Sequence, residues 1–235
     1  MMRPITLILA EAALETIPPS IRKHPSVKAC ARRKKRPIEQ ILLDKSIHHH
    51  AMSSLLDHKK RGRPDISHIC LLLATSSPLY RENMLNIMVH TRNDQLIMVN
   101  STLQWRPPKN YNRFCGLMEQ LFLSENKQVP ETGIPLLSLE EGTLRHILGG
   151  LGRPILLFTE KGEYGSLSKQ IKYLIKDPDQ PTLTLIVGAF PHGDFSPETL
   201  NIADQLLSIS KQPLEAWTVV ARGIYEIERS LLKCP

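Results

Sequence analysis

The sequence predicts an α/β fold, and three observations carry that prediction. The run Leu183-Thr184-Leu185-Ile186-Val187 is apolar, rich in β-branched residues and too short for a helix, so it is a buried strand. It ends in a loop holding two glycines and a proline, Gly188 to Phe195, after which Ser196 as N-cap and Pro197 in the first turn open a helix. A second apolar segment, Leu206 to Ser210, and a long helix starting at Pro213 and running from Leu214 to Leu232 complete the series. Strand, glycine loop, helix, strand, helix is the order that builds a small-molecule pocket at the carboxyl ends of strands. The common fingerprints are absent, since Gly188 and Gly193 do not form GxGxxG and no Gly-Lys-Ser/Thr follows. That argues against a Rossmann-type oxidoreductase and a P-loop NTPase.

The length of 235 residues fits one large domain, or one domain with an insertion, and 41% hydrophobic residues suffice for a core. The net charge of +7 favours an anionic partner. Eight Lys/Arg and no acid lie between Arg22 and Arg36, and a second basic knot runs from His58 to Arg63. A solvated or disordered loop over residues 20–37 accounts for the first run by composition alone. Two separate clusters tilt the balance towards nucleic acid. Cys30, Cys70, Cys115 and Cys234 form no CxxC and read as reduced thiols of a cytosolic protein. No stretch approaches a membrane span, and Ile5 to Ala10 is too short for a signal sequence.

In chain order, Ile5 to Ala10 is a first buried strand, and Glu11 to Ile17 a short helix or turn closed by Pro18-Pro19. After the basic loop, Ile41 to Asp44 is a short strand, and Ser46 caps a helix reaching to about Lys60. His48, His49 and His50 are consecutive, and adjacent residues on a helix point apart, so they do not converge on a metal ion. The apolar run Ile69 to Ala74 is a central strand, and Ser77-Pro78-Leu79 starts a helical turn. Asn86 to Thr91 and Gln95 to Asn100 form a hairpin across Arg92-Asn93-Asp94. A basic loop follows, with Arg106, Lys109, Tyr111 and Arg113; interleaved cations and an aromatic suit phosphates and bases. Phe114, Leu117, Met118, Leu121 and Phe122 recur at helical spacing and are core. Ser138 opens a helix to Leu148 through a capping box, and Gly149 to Gly152 form its C-cap and turn. Pro154 to Phe158 is a strand ending in the loop Thr159 to Gly162, Ser166 to Lys176 a helix, and Asp177 to Pro181 a turn.

Several of these segments carry a resemblance as a set. They are Asp44-x-Ser46-x-His48-His49-x-Ala51-Met52, Arg63-Pro64-Asp65-Ile66-x-His68, the Arg106 to Met118 stretch, Gly188 to Phe195, Ser208 to Ser210 and Pro213 to Ala216. The chain resembles the SPOUT, or α/β-knot, RNA methyltransferases from about residue 3 to its end. Within that class it is similar to the archaeal and eukaryotic ribosome-biogenesis enzymes that methylate N1 of a pseudouridine in small-subunit rRNA. The resemblance implies one domain over 1–235 with a mostly parallel sheet flanked by helices and a deep trefoil knot in the C-terminal third. It also implies a family-specific hairpin insertion and RNA-facing loop over 85–110.

It further implies S-adenosylmethionine held by three loops, through Thr159, Glu160, Gly188, Phe190, Gly193, Leu207, Ser208, Ile209, Ser210 and Leu214. An rRNA stem-loop would lie over the basic arm, Arg63, Arg106, Lys109, Tyr111 and Arg113, with the target base turned out. Lys109 stands where eukaryotic members carry an arginine, which keeps phosphate attraction and loses bidentate geometry. Asp65, with Arg63, is the candidate for the chemical step, as orienter of Arg63 or as proton acceptor. The class works as homodimers, with the Pro213 to Leu232 helix as interface, alongside other assembly factors or ribosomal proteins. The expected compartment is the cytoplasm, or the nucleolus in a eukaryote. Two readings on the same fold stay open: a non-catalytic assembly factor, and a methyltransferase of another RNA nucleotide.

Overall fold

The structure, a computed structural model, describes residues 5–151, 153–175 and 183–232. Strand β1 (Ile5–Ala12) is buried along nearly its whole length. Leu7 and Leu9 pack into one hydrophobic cluster and Ile8 and Ala10 into another, so both faces of the strand are covered. That is why its sequence is continuously apolar rather than alternating.

The chain continues through α1 (Pro25–Lys34), α2 (Lys45–Met52), α3 (Pro64–Ser76) and α4 (Pro78–Arg81) to the hairpin of β2 (Leu85–Thr91) and β3 (Gln95–Val99). Next come α5 (Tyr111–Leu123), β4 (Gln128–Val129), β5 (Leu137–Glu141), α6 (Leu144–Leu148), β6 (Ile155–Tyr164) and α7 (Leu167–Ile175). The last elements are β7 (Thr184–Gly188), α8 (Pro197–Leu200), β8 (Gln205–Ser208) and α9 (Ala216–Leu231). The eight strands form one sheet in the order β4-β5-β3-β2-β1-β7-β6-β8. Its β2-β1-β7-β6-β8 portion is parallel, and the hairpin turns the remainder antiparallel. Helices α3, α5, α7 and α9 cover one face and α6 and α8 the other, while α1 and α2 enclose a third cluster of their own.

Several expectations need correction. Residues 69–74 are not a strand but the middle of α3. Pro64 sits at its first turn, and Ile66, Cys70 and Ala74 recur every four residues along one buried stripe. The basic segment 20–37 is not a loop: His24 caps α1 by accepting from the Ser26 N–H, Pro25 follows, and Val27 and Cys30 anchor it in the core. Ile41 to Asp44 forms a single bridge, Leu42 to Thr16, and joins no sheet. The α2 cap is Asp44, whose side chain accepts from the Ser46 N–H, and the helix stops at Met52. Glu11 to Ile17 forms no helix; β1 runs on to Ala12, with Glu11 in the left-handed region at φ 49°. Ser138 to Glu141 belongs to β5, and Thr143 caps the shorter α6. The turn expected over Asp177 to Pro181 lies outside the described residues, as do Gly152, Lys176 and Cys234.

Candidate functional site

Strands β7, β6 and β8 are parallel neighbours, so the segments following them emerge at one edge of the sheet. The first segment departs from expectation. Pairing of β6 with β8 continues past Phe158 to Tyr164, with Leu207 opposite both Phe158 and Glu163, so Thr159 to Gly162 bulge out of the ladder. Gly162 makes this possible: a Cβ there would lie 2.5 Å from the Leu207 amide nitrogen.

Asp194 ties the first segment to the second. It accepts from the Thr159 hydroxyl at 3.1 Å and from the Phe195 N–H at 2.8 Å, and pairs with Lys161 at 2.9 Å. Burial raises the Asp194 pKa, but Lys161, the Phe195 N–H and Thr159 together hold it below the usual carboxylate value. Gly193 is exposed in the left-handed region at φ 88°, and Phe190 packs edge-on against Phe195 at 5.3 Å. In the third segment the Ser208 hydroxyl donates to the Ser210 carbonyl at 2.8 Å. Leu207 is buried there, Ile209 packs on the core, and Leu214 is half-buried. Glu160 and Gly193 face solvent, and Gly188 sits at the end of β7.

These residues fit an adenosyl amino acid. Half-buried Phe190, Ile209 and Leu214 supply apolar walls, and among the described residues the amides of Phe190, His192 and Gly193 have no hydrogen-bond partner. Exposed Glu160 adds an anion for a cationic ligand. Apolar walls with a few unengaged polar groups are the usual composition of a cofactor cleft.

The residues expected to meet RNA lie at and just before the starts of α3 and α5. Arg63 donates from Nε and Nη2 to the two carboxylate oxygens of Asp65, both at 2.7 Å. Asp65, chiefly, raises the Arg63 pKa, with smaller contributions from Glu215 and Tyr111. Glu215 immediately follows Leu214, so Arg63 stands beside the third strand-end segment. Tyr111 donates from its hydroxyl to Asp44 Oδ2 at 2.6 Å. Burial first and that bond second push its pKa far up, so it stays a neutral phenol. Arg106, Lys109 and Arg113 are exposed. His68 bonds the Pro108 carbonyl at 2.7 Å and stacks on Phe114, fixing the loop that carries Arg106 and Lys109.

The second basic knot is only partly surface charge. Arg61 is buried in a bidentate pair with Glu15, and Lys60 pairs with Glu11, which leaves His58, Lys59 and Arg63 outward. Lys34 and Arg36 likewise hold buried Glu119, which also accepts the Leu42 N–H and so fastens α1 onto α5. Of the histidine run, His48 is buried and accepts the Asp44 N–H through Nδ1, while His49 and His50 are exposed. Glu11, Lys60, Asp194, His68 and Glu119 were missed in the sequence because their partners lie far along the chain. Only His68 and Asp194 had a signal, their places in the Arg63 to His68 and Gly188 to Phe195 motifs.

The two sets meet behind the strand ends. Ala189 donates to the Ala10 carbonyl and accepts from the Ala13 N–H, while the Ala13 carbonyl accepts from the Arg63 N–H. Beside this junction a polar cleft of about 280 Å³ opens, lined by Glu11, Lys60, His90, Arg92, Arg145 and Thr199 among others; none of the expected site residues lines it.

Comparison with known proteins agrees with this arrangement. A family model described as EMG1/NEP1 methyltransferase matches residues 7–228. The chain is 41% identical to the ribosomal RNA small subunit methyltransferase Nep1 of Pyrococcus furiosus, covering 99% of this chain and 100% of that one. To the Nep1 of Archaeoglobus fulgidus it is 44% identical, covering 94% of each. The crystal structure of Archaeoglobus fulgidus Nep1 bound to S-adenosylhomocysteine superposes with a TM-score of 0.82 at 41% identity, over 98% of this chain and 99% of that one. With the α/β sheet, the strand-end loops and full-length similarity all in accord, the chain belongs to the EMG1/NEP1 methyltransferase family.

Proposed function

We propose that this chain is an S-adenosylmethionine-dependent methyltransferase of small-subunit rRNA, acting on N1 of a pseudouridine. The observation that carries the reading is the junction at Ala10 to Ala13, which holds the Gly188 to Phe195 loop on one side and the Arg63–Asp65 pair on the other. Family membership and the S-adenosylhomocysteine complex of the Archaeoglobus relative support the cofactor class. When bound, S-adenosylmethionine supplies an electrophilic methyl group. The residues of this chain bind and orient. Phe190, Ile209 and Leu214 shield the pocket from water, and the free amides of the second loop donate to polar groups of the cofactor. Arg63, Arg106, Lys109 and Arg113 take RNA phosphates, and α1, fastened by Glu119, extends the basic surface through Lys28, Arg32 and Arg33. Both carboxylate oxygens of Asp65 are engaged by Arg63, which favours the orienting role over that of proton acceptor.

Family membership and the full-length superposition on the Archaeoglobus relative support the trefoil knot that the resemblance implies for the C-terminal third. Exposed Tyr225 supports α9 as the surface of a homodimer, while Trp217 and Val219 pack on the core. Among the described residues no helix is long and apolar enough to cross a membrane, and Cys30, Cys70 and Cys115 are free, in keeping with a place in the cytoplasm.

Uridine carries its glycosidic bond at N1, whereas pseudouridine is joined through carbon and keeps an N1–H. The test uses one stem-loop with uridine and one with pseudouridine at the target position, and labelled methyl donor. Transfer to the pseudouridine loop alone is expected. Equal transfer to both means another target atom, and transfer to neither with RNA still bound favours an assembly factor without catalysis.

A further inference from the structure

Lys60 lies where the two halves of the site join. Its ammonium donates to Glu11 Oε2 at 2.8 Å and to the main-chain carbonyl of Asp194, and it sits 4.1 Å from the centre of the Phe190 ring. Its stem passes within 3.6 Å of where a Gly193 side chain would begin. One cation therefore touches three positions of the Gly188 to Phe195 loop. Its anchor is equally defined: Glu11 accepts Lys60 through one oxygen and the Ser196 N–H through the other, both at 2.8 Å, so it braces the loop's far end. Burial raises the Glu11 pKa, yet Lys60 and the Ser196 N–H outweigh it and keep the carboxylate ionised. Behind Lys60 the chain is fixed, with Arg61 paired to buried Glu15 and the Gly62 carbonyl accepting from the Lys45 N–H. Three residues on stands Arg63, facing Asp65.

We propose that Lys60 is a positioning residue that sets the shape of the Gly188 to Phe195 loop for the cofactor and joins it to the Arg63–Asp65 segment that faces RNA. This rests on assigning that loop to the cofactor. The physical reason is preorganisation. A loop with two glycines and unengaged amides has many conformations, and a cation bonded to its backbone and laid over the Phe190 ring selects one of them. Lys60 is fixed from the RNA-facing segment, so its hold on the loop makes the two binding events interdependent.

The experiment is calorimetric titration of S-adenosylhomocysteine into the wild type, Lys60→Met, Lys60→Arg and Glu11→Gln, each with and without the pseudouridine stem-loop, alongside RNA binding by anisotropy. Lys60→Met is expected to weaken S-adenosylhomocysteine about tenfold, the loss of roughly one charge-assisted hydrogen bond, with RNA affinity within about twofold. Lys60→Arg is expected to recover most of the loss by restoring the cation. Any effect of RNA on cofactor affinity in the wild type is expected to shrink in Lys60→Met. Should Lys60→Met prove insoluble, Glu11→Gln removes the anchoring charge while keeping an acceptor for the Ser196 N–H, and is expected to weaken the cofactor in the same direction. Unchanged cofactor affinity in soluble Lys60→Met or Glu11→Gln, even with a lowered melting temperature, makes Lys60 merely structural and overturns the inference. A wild type that binds no S-adenosylhomocysteine overturns the cofactor assignment itself, which is a different result.

Discussion

Arg63 and Asp65 meet fork to fork, with two hydrogen bonds of 2.7 Å between guanidinium and carboxylate. Each side chain remains about one-third exposed, so the pair presents an oriented cation at the surface rather than a buried ion pair. Asp65→Ala is expected to free Arg63 and to weaken binding of the pseudouridine stem-loop roughly tenfold, with a fall in rate alongside. Anisotropy and single-turnover methylation measure the two. A fall in rate with RNA affinity intact assigns Asp65 to the chemical step instead.

Two tightly packed glycines of the strand-end segments, Gly162 and Gly188, should respond differently. An alanine methyl at Gly162 lies 2.5 Å from the Leu207 amide nitrogen and 2.6 Å from its carbonyl carbon, and backbone does not swing away. Gly162→Ala should therefore cost stability by about 1–3 kcal/mol and disturb the third segment. At Gly188 the contacts are ring atoms of Phe190, at 2.8 and 2.9 Å, which rotate aside. Gly188→Ala should keep most of its stability and lose cofactor affinity as Phe190 is displaced. Thermal melts with S-adenosylhomocysteine titrations separate the two outcomes.

Glu119→Ala should loosen the basic helix. The substitution strips Lys34, Arg36 and the Leu42 N–H of a common acceptor whose side chain is only 3% exposed. Lys34 and Arg36 reach water on their own, so the expected cost is about 2–3 kcal/mol rather than the full penalty of an orphaned buried charge. Hydrogen exchange of the amides of residues 25–34 should accelerate more than that of α5. Equal protection in mutant and wild type would show that Val27 and Cys30 hold α1 unaided.

The Glu11 clamp predicts an acid limit. Its folded-state pKa lies below the ordinary value of 4.5, so its contribution is complete above that value and declines as the pH falls through the folded pKa. The denaturation midpoint of the wild type should therefore drop between neutral pH and about pH 3 more steeply than that of Glu11→Gln, which has no proton to bind there. Parallel curves for the two proteins would remove Glu11 from the account of acid sensitivity.

Local chemistry made part of the molecule readable. The run Leu183 to Val187 yields β7 because four aliphatic residues around Thr184 suit burial on both faces, and the residues that follow it make a loop because glycine and proline resist regular structure. Ser77 and Ser196 do cap helices, each accepting from the amide three residues on, since such a bond needs nothing distant. The hairpin and the helix through Phe114 and Met118 were equally legible. Resemblance supplied what periodicity did not: the class of cofactor and RNA, later supported by the family match.

The tertiary structure decided the rest, for reasons of distance. The run Ile69 to Ala74 suits a buried helix as well as a buried strand, and the packing of α3 against α9 and α5 settles it. Basic residues look alike in a sequence whether they meet water, RNA or a carboxylate. Lys60, Arg61 and Lys34 find their acids 49, 46 and 85 residues away, and only folding brings those charges within hydrogen-bond reach. The same holds for Ala10 to Ala13, four unremarkable residues until β1 is laid between β2 and β7. There their backbone groups, with Glu11 in a left-handed turn, hold the glycine loop on one side and Arg63 on the other.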